Sequence, residues 1–399
     1  VLPIFWNASL FQCPSCGRMI EEMRTIRTHL LATAACFLLC VGAHAETLDV
    51  CPTGCTYASI QNAIDASSDG DVIEIAAGTY HEFDISTQQK AITLRGATHG
   101  DGLPATTIDS QGLGTSIMSF NGEGTDTIIE HLVFTGASGK GWAPVTMFHA
   151  RPTMINCTFR DNVNTGLGGG VYNLNGSPHF IDCRFIDNSA NWGGGYACWE
   201  TGQPDHPIFL RCTFSGNTAT LGGAIGNFRS SPVLTECVFR NNTATEHGGA
   251  FFNEGTDCCE RWFGDVAMEQ CVFEQNTAGQ SGGAICNSTF GTTTLNGCTV
   301  ADNAASLEGS AIASSTATMA ILTGSTVCSN TGTLDQINGP VDLDGTNDIV
   351  DICPADCDGD ITGDGEVNVT DLLAVIAGWG DPYNVGDILL VIRAWGPCS

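Results

Sequence analysis

Apolar and polar positions in the central part of the chain repeat every 25 to 34 residues. The phrase Cys-x-Phe-x-x-Asn recurs there, and its Phe or Val column comprises Phe134, Phe159, Phe185, Phe214, Phe239, Phe273, Val300 and Val327. The cysteine and the Phe are two residues apart, so both side chains lie on one face of a strand. This period is too long for one strand and lacks a helical apolar rhythm. It predicts a coil of two or three short strands, with each Phe stacked about 4.8 Å from the next.

Two further repeat positions indicate turns between the strands. An Asn follows each Phe by three residues, and its short amide can bond the backbone and tolerate a left-handed conformation. Paired glycines follow, as at Gly222-Gly223 and Gly282-Gly283, and they permit positive φ and close approach of neighbouring coils. We therefore predict an all-β fold, a right-handed single-stranded parallel β-helix over residues 46–350 with repeats at about 130–330. The alternative, a β-propeller, needs four strands per blade, and the period is too short for that.

The segment before the repeats has the pattern of a cap on the coil. Ile60, Ala63 and Ile64 form the apolar face of a short helix that can cover the open end of the stack. Strands are predicted afterwards at 72–75, 91–94 and 106–109, separated by turns that contain glycine. We expect about ten coils in all, a stack on the order of 45 Å long.

The N-terminal 45 residues do not fit the β pattern. Residues 23–45 have two arginines, an apolar run from Leu30 to Val41 and the small-x-small site Ala43-His44-Ala45, which are the parts of a secretory signal. The run is short for a membrane span, although a retained anchor is the alternative. Residues 1–22 then lie upstream of the start as a non-native extension. We expect a secreted or outer-surface protein with no transmembrane segment in the mature chain.

Composition narrows the class of ligand. Charged residues make up 14% of the chain, and the net charge is −29. No basic stripe exists to meet phosphates, so nucleic acid is not expected as a partner. The acidity is compatible with divalent cations.

Residues 351–399 contain a segment with the ligand spacing of an EF-hand loop. Oxygen ligands stand at loop positions 1, 3, 5, 9 and 12, with a backbone carbonyl at 7 and glycine at 6. The predicted Ca²⁺ ligands are Asp360, Thr362, Asp364, Glu366, Asn368 and Asp371. A second copy near Asn384 lacks the first half of its loop, since Ile376, Gly378 and Gly380 occupy the ligand positions, so it should not hold calcium alone.

Cysteines of the repeat phrase form a column of six. Their strands aim neighbouring Cβ atoms the same way, so we expect buried thiols rather than disulfides. Cys51–Cys55 and Cys353–Cys398 are the expected bridges in an oxidising compartment. Cys198 and Cys286 are expected to share one repeat position, three residues after the glycine pair.

The paired F-x-x-N and G-G-A-I phrases resemble the repeat of the chlamydial polymorphic outer-membrane proteins. The residues that carry this resemblance are Phe159–Asn162, Phe185–Asn188, Phe214–Asn217, Phe239–Asn242, Phe273–Asn276, Gly222–Ile225 and Gly282–Ile285. Members of that family are surface-exposed adhesins, which implies binding rather than catalysis. Residues 57–80 resemble the entry to pectin-lyase-like β-helices, and this supports the fold.

The calcium segment resembles a type I dockerin, since Asp371 closes the loop where an EF-hand has Glu. A small helical dockerin-like module is therefore expected at 351–399. The resemblance implies docking on a cohesin-like partner, with cell-surface attachment as an equal possibility.

Two aspartates of the repeat are the catalytic candidates. Asp161 and Asp187 share a repeat position and should lie about 5 Å apart, as an acid–base or ligand pair would require. The alternative is a turn residue before the Asn, and Gly216 at the same position favours it. A glycan platform is also conceivable, because aromatic faces stack on sugar rings; its residues are Trp192, Tyr196, Trp199 and Trp262.

Two functions follow from these patterns. The first is an adhesin-like surface protein that binds an extracellular glycan or another surface and is tethered by its calcium-binding tail. The second is a lyase or hydrolase acting on polysaccharide that contains uronic acid. Turnover of a polysaccharide with calcium, lost in Asp161→Asn, would favour the enzyme over the binding protein.

Overall fold

The structure is a computed structural model, and it describes most of the chain from Ala45 to Cys353. The described residues are 45–112, 116–139, 143–200, 206–255, 264–332 and 335–353, with the backbone of 366–367 and 396–397. The predicted extension 1–22 and all but the last residue of the predicted signal segment 23–45 lie outside them. No helix in the described part of the chain is long and apolar enough to cross a membrane.

Three long parallel sheets and one short one wind into a right-handed solenoid of about ten turns. The first sheet has 12 strands: Thr47–Val50, Val72–Ile75, Thr93–Gly96, Ile128–Glu130, Thr153–Ile155, His179–Ile181, Ile208–Leu210, Val233–Thr235, Asp265–Glu269, Thr292–Asn296, Met319–Thr323 and Val341–Asp344. The second has 11 strands: Gly78–Tyr80, Thr106–Asp109, Leu132–Thr135, Thr158–Arg160, Arg184–Ile186, Thr213–Ser215, Val238–Arg240, Val272–Glu274, Thr299–Ala301, Thr326–Cys328 and Asp348–Val350. The first sheet contains the strand just before each Cys-x-Phe phrase, and the second sheet contains the Phe or Val of the phrase.

The third sheet has 10 strands: Ile85–Ser86, Met118–Asn121, Val145–Phe148, Val171–Leu174, Tyr196–Trp199, Ile225–Phe228, Phe251–Glu254, Ile285–Ser288, Ile312–Ser314 and Ile337–Asn338. A short fourth sheet joins the second to the third in the later coils: Thr218–Leu221, Thr243–His247, Thr277–Ala278, Ala304–Ala305 and Thr331–Gly332. Ser138–Gly139 pairs with Val163–Asn164 in the same way in the earlier coils. In the tail, Glu366–Val367 pairs antiparallel with Gly396–Pro397.

Helix α1, Ile60–Ala66, is the only helix in the described residues. The Ser59 side chain caps its N-terminus by accepting a hydrogen bond from the backbone N–H of Asn62. Ile60, Ala63 and Ile64 are fully buried against the core, as the apolar spacing predicted. The helix thus packs its apolar face on the core in the way that an N-terminal cap requires.

The predicted column of aromatic side chains runs through the interior. Strand pairing aligns all eight positions from Phe134 to Val327 in register. Neighbouring rings from Phe134 to Phe273 are stacked, with centroids 4.5 to 5.2 Å apart. Phe180 and Phe209 form a second stack from the first sheet, 5.0 Å apart. The in-register parallel β-helix is confirmed, and the propeller alternative is excluded because every pairing between coils is parallel.

The repeated asparagines form a buried ladder at the corner after the second sheet. The Nδ2 of Asn217 donates to the Phe185 carbonyl and to Oδ1 of Asn242 in the next coil, at 2.8 and 3.0 Å. The ladder members are Asn162, Asn188, Asn217, Asn242, Asn276, Asn303 and Asn330. The prediction that each Asn amide bonds the backbone is correct. The residue in the left-handed conformation, however, is not the Asn itself but the one before it, such as Asp187 at φ 53°. The amide must point inward to reach its partners, so the preceding residue makes the turn.

Six thiols form the predicted column, and none of them is in a disulfide. Each sulfur lies within hydrogen-bond distance of two carbonyl oxygens that share its one proton, as Cys212 does for Phe180 and Leu210 at 3.4 and 3.5 Å. The bridge Cys51–Cys55 is confirmed, with Cα atoms 5.5 Å apart. Cys353–Cys398 is wrong. Cys353 bonds Cys328, because the last coil returns it beside the strand Thr326–Cys328, with Cα atoms 4.7 Å apart.

Cys198 and Cys286 do not share a repeat position. Cys198 is in register with Asn227, whereas Cys286 is in register with Phe252. Three glycines precede Tyr196, and the left-handed corner is the first of them, Gly193, rather than the second. The alignment of Cys198 with Cys286 that the glycine pair predicted is therefore wrong by one residue.

Candidate functional site

The outward face of the third sheet carries a groove of aromatic and polar side chains, which we call the outer groove. Its floor consists of the second and fourth residues of the third-sheet strands from Val171–Leu174 onward: Tyr172, Leu174, Ala197, Trp199, Gly226, Phe228, Phe252, Glu254, Cys286, Ser288 and, in the last strand, Ala313 alone. Its wall is the residue before each left-handed corner glycine, paired from coil to coil: Leu167, Trp192, Leu221, His247, Ser281 and Glu308. Floor and wall meet because the chain turns sharply at these glycines. A Cβ on Gly222 would lie 2.1 Å from the Ile225 carbonyl oxygen.

One half of the outer groove is aromatic. Trp192 on the wall lies 6.0 Å from Trp199 and 5.2 Å from Phe252 on the floor, measured between ring centroids. Trp199 stacks on Phe228 of the next coil at 4.0 Å. Trp192, Trp199 and Phe228 are each partly exposed, so their rings meet solvent as well as protein.

Glycine in the floor makes room for the Trp192 indole. Gly226 lies directly beneath it, and a Cβ there would come within 2.2 Å of the ring atoms Cδ1 and Nε1. Trp192 Nε1 is buried and has no hydrogen-bond partner among the described residues. The Cδ1–Nε1 edge of the indole therefore lies close over the strand, with a polar atom that has no partner among the described residues.

The other half of the groove is polar. It holds a cavity of about 210 Å³ lined by wall residues His247, Ser281 and Glu308 and by floor residues that include Phe252 and Ser288. His247 Nδ1 is buried without a hydrogen-bond partner in the described part of the chain. Buried polar atoms of this kind usually find a partner, which here leaves a donor or acceptor for a ligand hydroxyl.

Burial controls the protonation of two groups along the floor. Burial raises the pKa of Glu254, and the positive charge of Arg229 partly opposes this. Burial, with a smaller contribution from the negative charge of Glu308, raises the pKa of Cys286 to about 12. Cys286 is thus a neutral thiol and no nucleophile at neutral pH.

Asp161 and Asp187 lie in adjacent coils, but outside the outer groove. Both are exposed and left-handed, with φ of 56° and 53°, in the turn between the second and fourth sheets. Arg160 Nη1 pairs with the Asp161 carboxylate at 3.1 Å. Their geometry is that of turn residues at the far end of the fourth sheet from the groove.

The predicted aromatic platform is present in part. Trp192 and Trp199 do come together, whereas Tyr196 points into the core and packs on Phe180 and Phe209. Trp262 lies outside the described residues. Sequence reasoning missed Phe228, Phe252, His247 and Glu308. A usable signal existed, because each wall residue directly precedes a corner glycine.

The calcium prediction falls almost wholly outside the described residues. Asp360, Thr362, Asp364, Asn368 and Asp371 are not described, and Glu366 is described only as backbone in a two-residue strand. Within the described ranges, no group of three His, Cys, Asp or Glu side chains is placed to hold a metal ion.

Comparison with known proteins agrees with the coil repeat. The model of the Chlamydia polymorphic membrane protein (Chlamydia_PMP) repeat matches residues 211–227, 236–254 and 270–288. These matches cover three successive second-sheet strands and three of the six third-sheet strands that floor the groove, the first of them up to Asn227. The predicted resemblance to this repeat is confirmed there. No curated protein matches the chain in sequence.

Among solved structures, the chain is similar to pectin methylesterases. A pectin methylesterase in complex with hexasaccharide VII is 12% identical over 74% of this chain and 93% of that one, with a TM-score of 0.41. PemA from Erwinia chrysanthemi is 14% identical over 58% and 80%, with a TM-score of 0.36. The enzyme from carrot is 12% identical over 77% and 83%, with a TM-score of 0.31. At these identities and TM-scores, the likenesses assign no activity to this chain.

Proposed function

We propose that this chain is a secreted or cell-surface glycan-binding protein that holds its ligand in the outer groove. The observation that carries the proposal is the aromatic half of the groove, where Trp192, Trp199 and Phe228 are grouped and partly exposed. Aromatic faces supply apolar contact for the C–H faces of sugar rings, and an apolar body with a polar edge suits such a ligand. The polar half then offers partners for hydroxyl groups.

The shape of the site also favours an extended ligand. Floor and wall repeat once per coil, about 4.8 Å apart along the stack. Six wall positions therefore extend over roughly 24 Å, long enough for several sugar units in a row. The two disulfides are consistent with an oxidising, extracellular location.

Trp199→Ala in the full chain tests the proposal. The variant removes the floor ring that stacks on Phe228, so affinity for a bound oligosaccharide should fall about tenfold or more. Binding is measured by calorimetry against a panel of neutral and acidic oligosaccharides. Phe83→Ala, an exposed aromatic outside the groove, is the control and should leave affinity unchanged. Unchanged affinity in Trp199→Ala, or no binding to any panel member, would overturn the proposal.

The alternative is a polysaccharide-degrading enzyme, and one observation favours it. The raised pKa of Glu254 would suit a general acid beside a bound glycan. The same panel, assayed for new reducing or unsaturated ends, separates the two functions. Turnover that disappears in Glu254→Gln would replace the binding function with catalysis.

We further propose that the tail binds calcium and tethers the β-helix. Its loop ligands, Asp360 to Asp371, have the spacing and oxygen chemistry that Ca²⁺ requires. The tail would dock on a cohesin-like partner or attach to the cell surface. Asp364→Ala should abolish one calorimetric Ca²⁺ site in the full chain, whereas Asp335→Ala outside the loop should not. A wild-type chain that binds no Ca²⁺ would contradict this part.

A further inference from the structure

The charge of the outer groove points to the kind of glycan it takes, an inference that rests on the proposed function. Two carboxylates face the groove in its polar half: Glu308 is exposed on the wall, and Glu254 is partly exposed on the floor. Both would lie near any ligand that continues from the aromatic half past His247. A chain of −29 net charge adds to the negative potential there.

Among the described residues of the groove, no arginine or lysine forms an ion pair with either carboxylate. Arg229 is the cation nearest the floor, and its Cζ lies 4.6 Å over the Phe228 ring. Its backbone N–H donates to the Glu254 carbonyl at 2.8 Å, and its positive charge acts on the Glu254 carboxylate. Its Nε is buried and has no hydrogen-bond partner among the described residues. Arg229 therefore offers its charge at the Glu254 end of the polar half, three coils away from Glu308.

The other arginines of these coils lie elsewhere and are engaged. Arg160 pairs with Asp161, Arg240 with Glu274, and Arg211 with Asp182, at 3.1, 2.9 and 2.8 Å. They belong to the second sheet and to a turn next to it, away from the third sheet. A metal bridge would be another way to hold an acidic sugar, but the described residues offer no cluster for one.

We propose that the outer groove selects uncharged glycans and rejects chains of uronic acid. A uronate at the Glu308 end of the polar half would place a carboxylate beside Glu308, where the described lining of the cavity includes no arginine or lysine, and like charges in such a site weaken binding. Neutral sugar rings keep the aromatic contacts and find hydroxyl partners in His247 and the groove serines.

A matched pair of oligosaccharides tests this selectivity in the full chain. Cellohexaose and its C6-oxidised uronate counterpart differ only in the carboxylates, and an arabinan, a galactan and an oligogalacturonate widen the panel. We expect the uronate member of each comparison to bind at least tenfold more weakly at low salt, with or without calcium. Glu308→Gln should raise the ratio of uronate affinity to neutral affinity about fivefold, and Glu269→Gln on the first sheet should change neither affinity.

The outcomes separate the two proposals. Uronate binding as tight as neutral binding, and sensitive to Trp199→Ala, would overturn the selectivity and leave the glycan-binding function intact. Glu308→Gln without effect on uronate affinity would also overturn the selectivity. No binding by any panel member would overturn the function and the selectivity together.

Discussion

Each asparagine of the ladder at the corner after the second sheet contributes more to the stability of the fold than the size of its side chain implies. The ladder asparagines from Asn162 to Asn303 are almost fully buried, and each uses both ends of its amide to join one coil to the next. A buried network of this kind is costly when one member is lost, because its neighbours keep unsatisfied polar atoms. The ladder therefore fixes the register at each corner.

Asn217→Ala should destabilise the protein by about 3 kcal/mol. The variant removes the bonds to the Phe185 carbonyl and to Asn242 Oδ1, and it leaves Asn188 without its acceptor. Chemical unfolding followed by circular dichroism measures the loss. Thr243→Ala, exposed on the fourth sheet, should cost under about 0.5 kcal/mol. An equal, small cost at both positions would contradict the ladder's role.

Thiols of the interior should be unreactive in the native protein. With a pKa of about 12, Cys286 is roughly one part in ten thousand thiolate at pH 8. Burial also raises the pKa of Cys157 and Cys212 in the column. Iodoacetamide labelling at pH 8 with peptide mapping should find these three cysteines unmodified until denaturant is added. Labelling of Cys286 at the denatured rate would show that the groove floor is open.

At the scale of elements, the sharp corner before each third-sheet strand positions the wall against the floor. Gly222 adopts φ 64° there, and its missing Cβ avoids the Ile225 carbonyl. Side chains are excluded by both the conformation and the contact. The groove thus depends on a backbone turn as much as on its aromatic residues.

Gly222→Ala should lower the melting temperature clearly, with a cost of about 2 kcal/mol or more. Gly124→Ala is the matched control, since its Cβ would meet nothing within 4 Å and its φ is not positive. Differential scanning calorimetry compares the two. Equal melting temperatures would show that the corner tolerates a side chain and is not a fixed turn.

The strands of the second sheet could be predicted because their signal is repeated. Phe159 to Phe273 recur with a fixed offset from Cys and Asn, and the structure stacks them as expected. The third sheet was harder, since the first three residues of its strands are buried in succession and show no alternation. Trp192 and Phe252 come together only across coils, and one extra glycine before Tyr196 shifted the expected register. The groove forms where strand pairing aligns residues of neighbouring coils, and the sequence pattern alone does not show that alignment.

At the scale of the whole molecule, the two ends of the solenoid are closed differently. Helix α1 covers the first coil, whereas the last coil is fastened by the bond from Cys353 to Cys328. Large apolar side chains remain exposed at that end, among them Leu343 and Ile352. The disulfide is thus the main covalent restraint where the β-helix passes into residues 354–399.

Removing that restraint should destabilise the chain by about 3 kcal/mol. The bridge closes a loop of 25 residues, so its loss raises the conformational entropy of the unfolded state and thereby favours unfolding. The double variant Cys328→Ser with Cys353→Ser is compared with Cys51→Ser with Cys55→Ser, whose shorter loop should cost about 2 kcal/mol. Denaturant unfolding of both gives the difference. A stability equal to the wild type in the first variant would exclude a native Cys328–Cys353 bond.

The central claim is that a neutral glycan lies along the outer groove, and hydrogen–deuterium exchange of the full chain locates it directly. The protein is compared alone and with the neutral oligosaccharide that binds most tightly in the panel. We predict slower exchange in the wall and floor segments 192–199, 225–228 and 247–254, and no change around Asp161 and Asp187. Protection confined to the turn that carries those two aspartates would contradict the account.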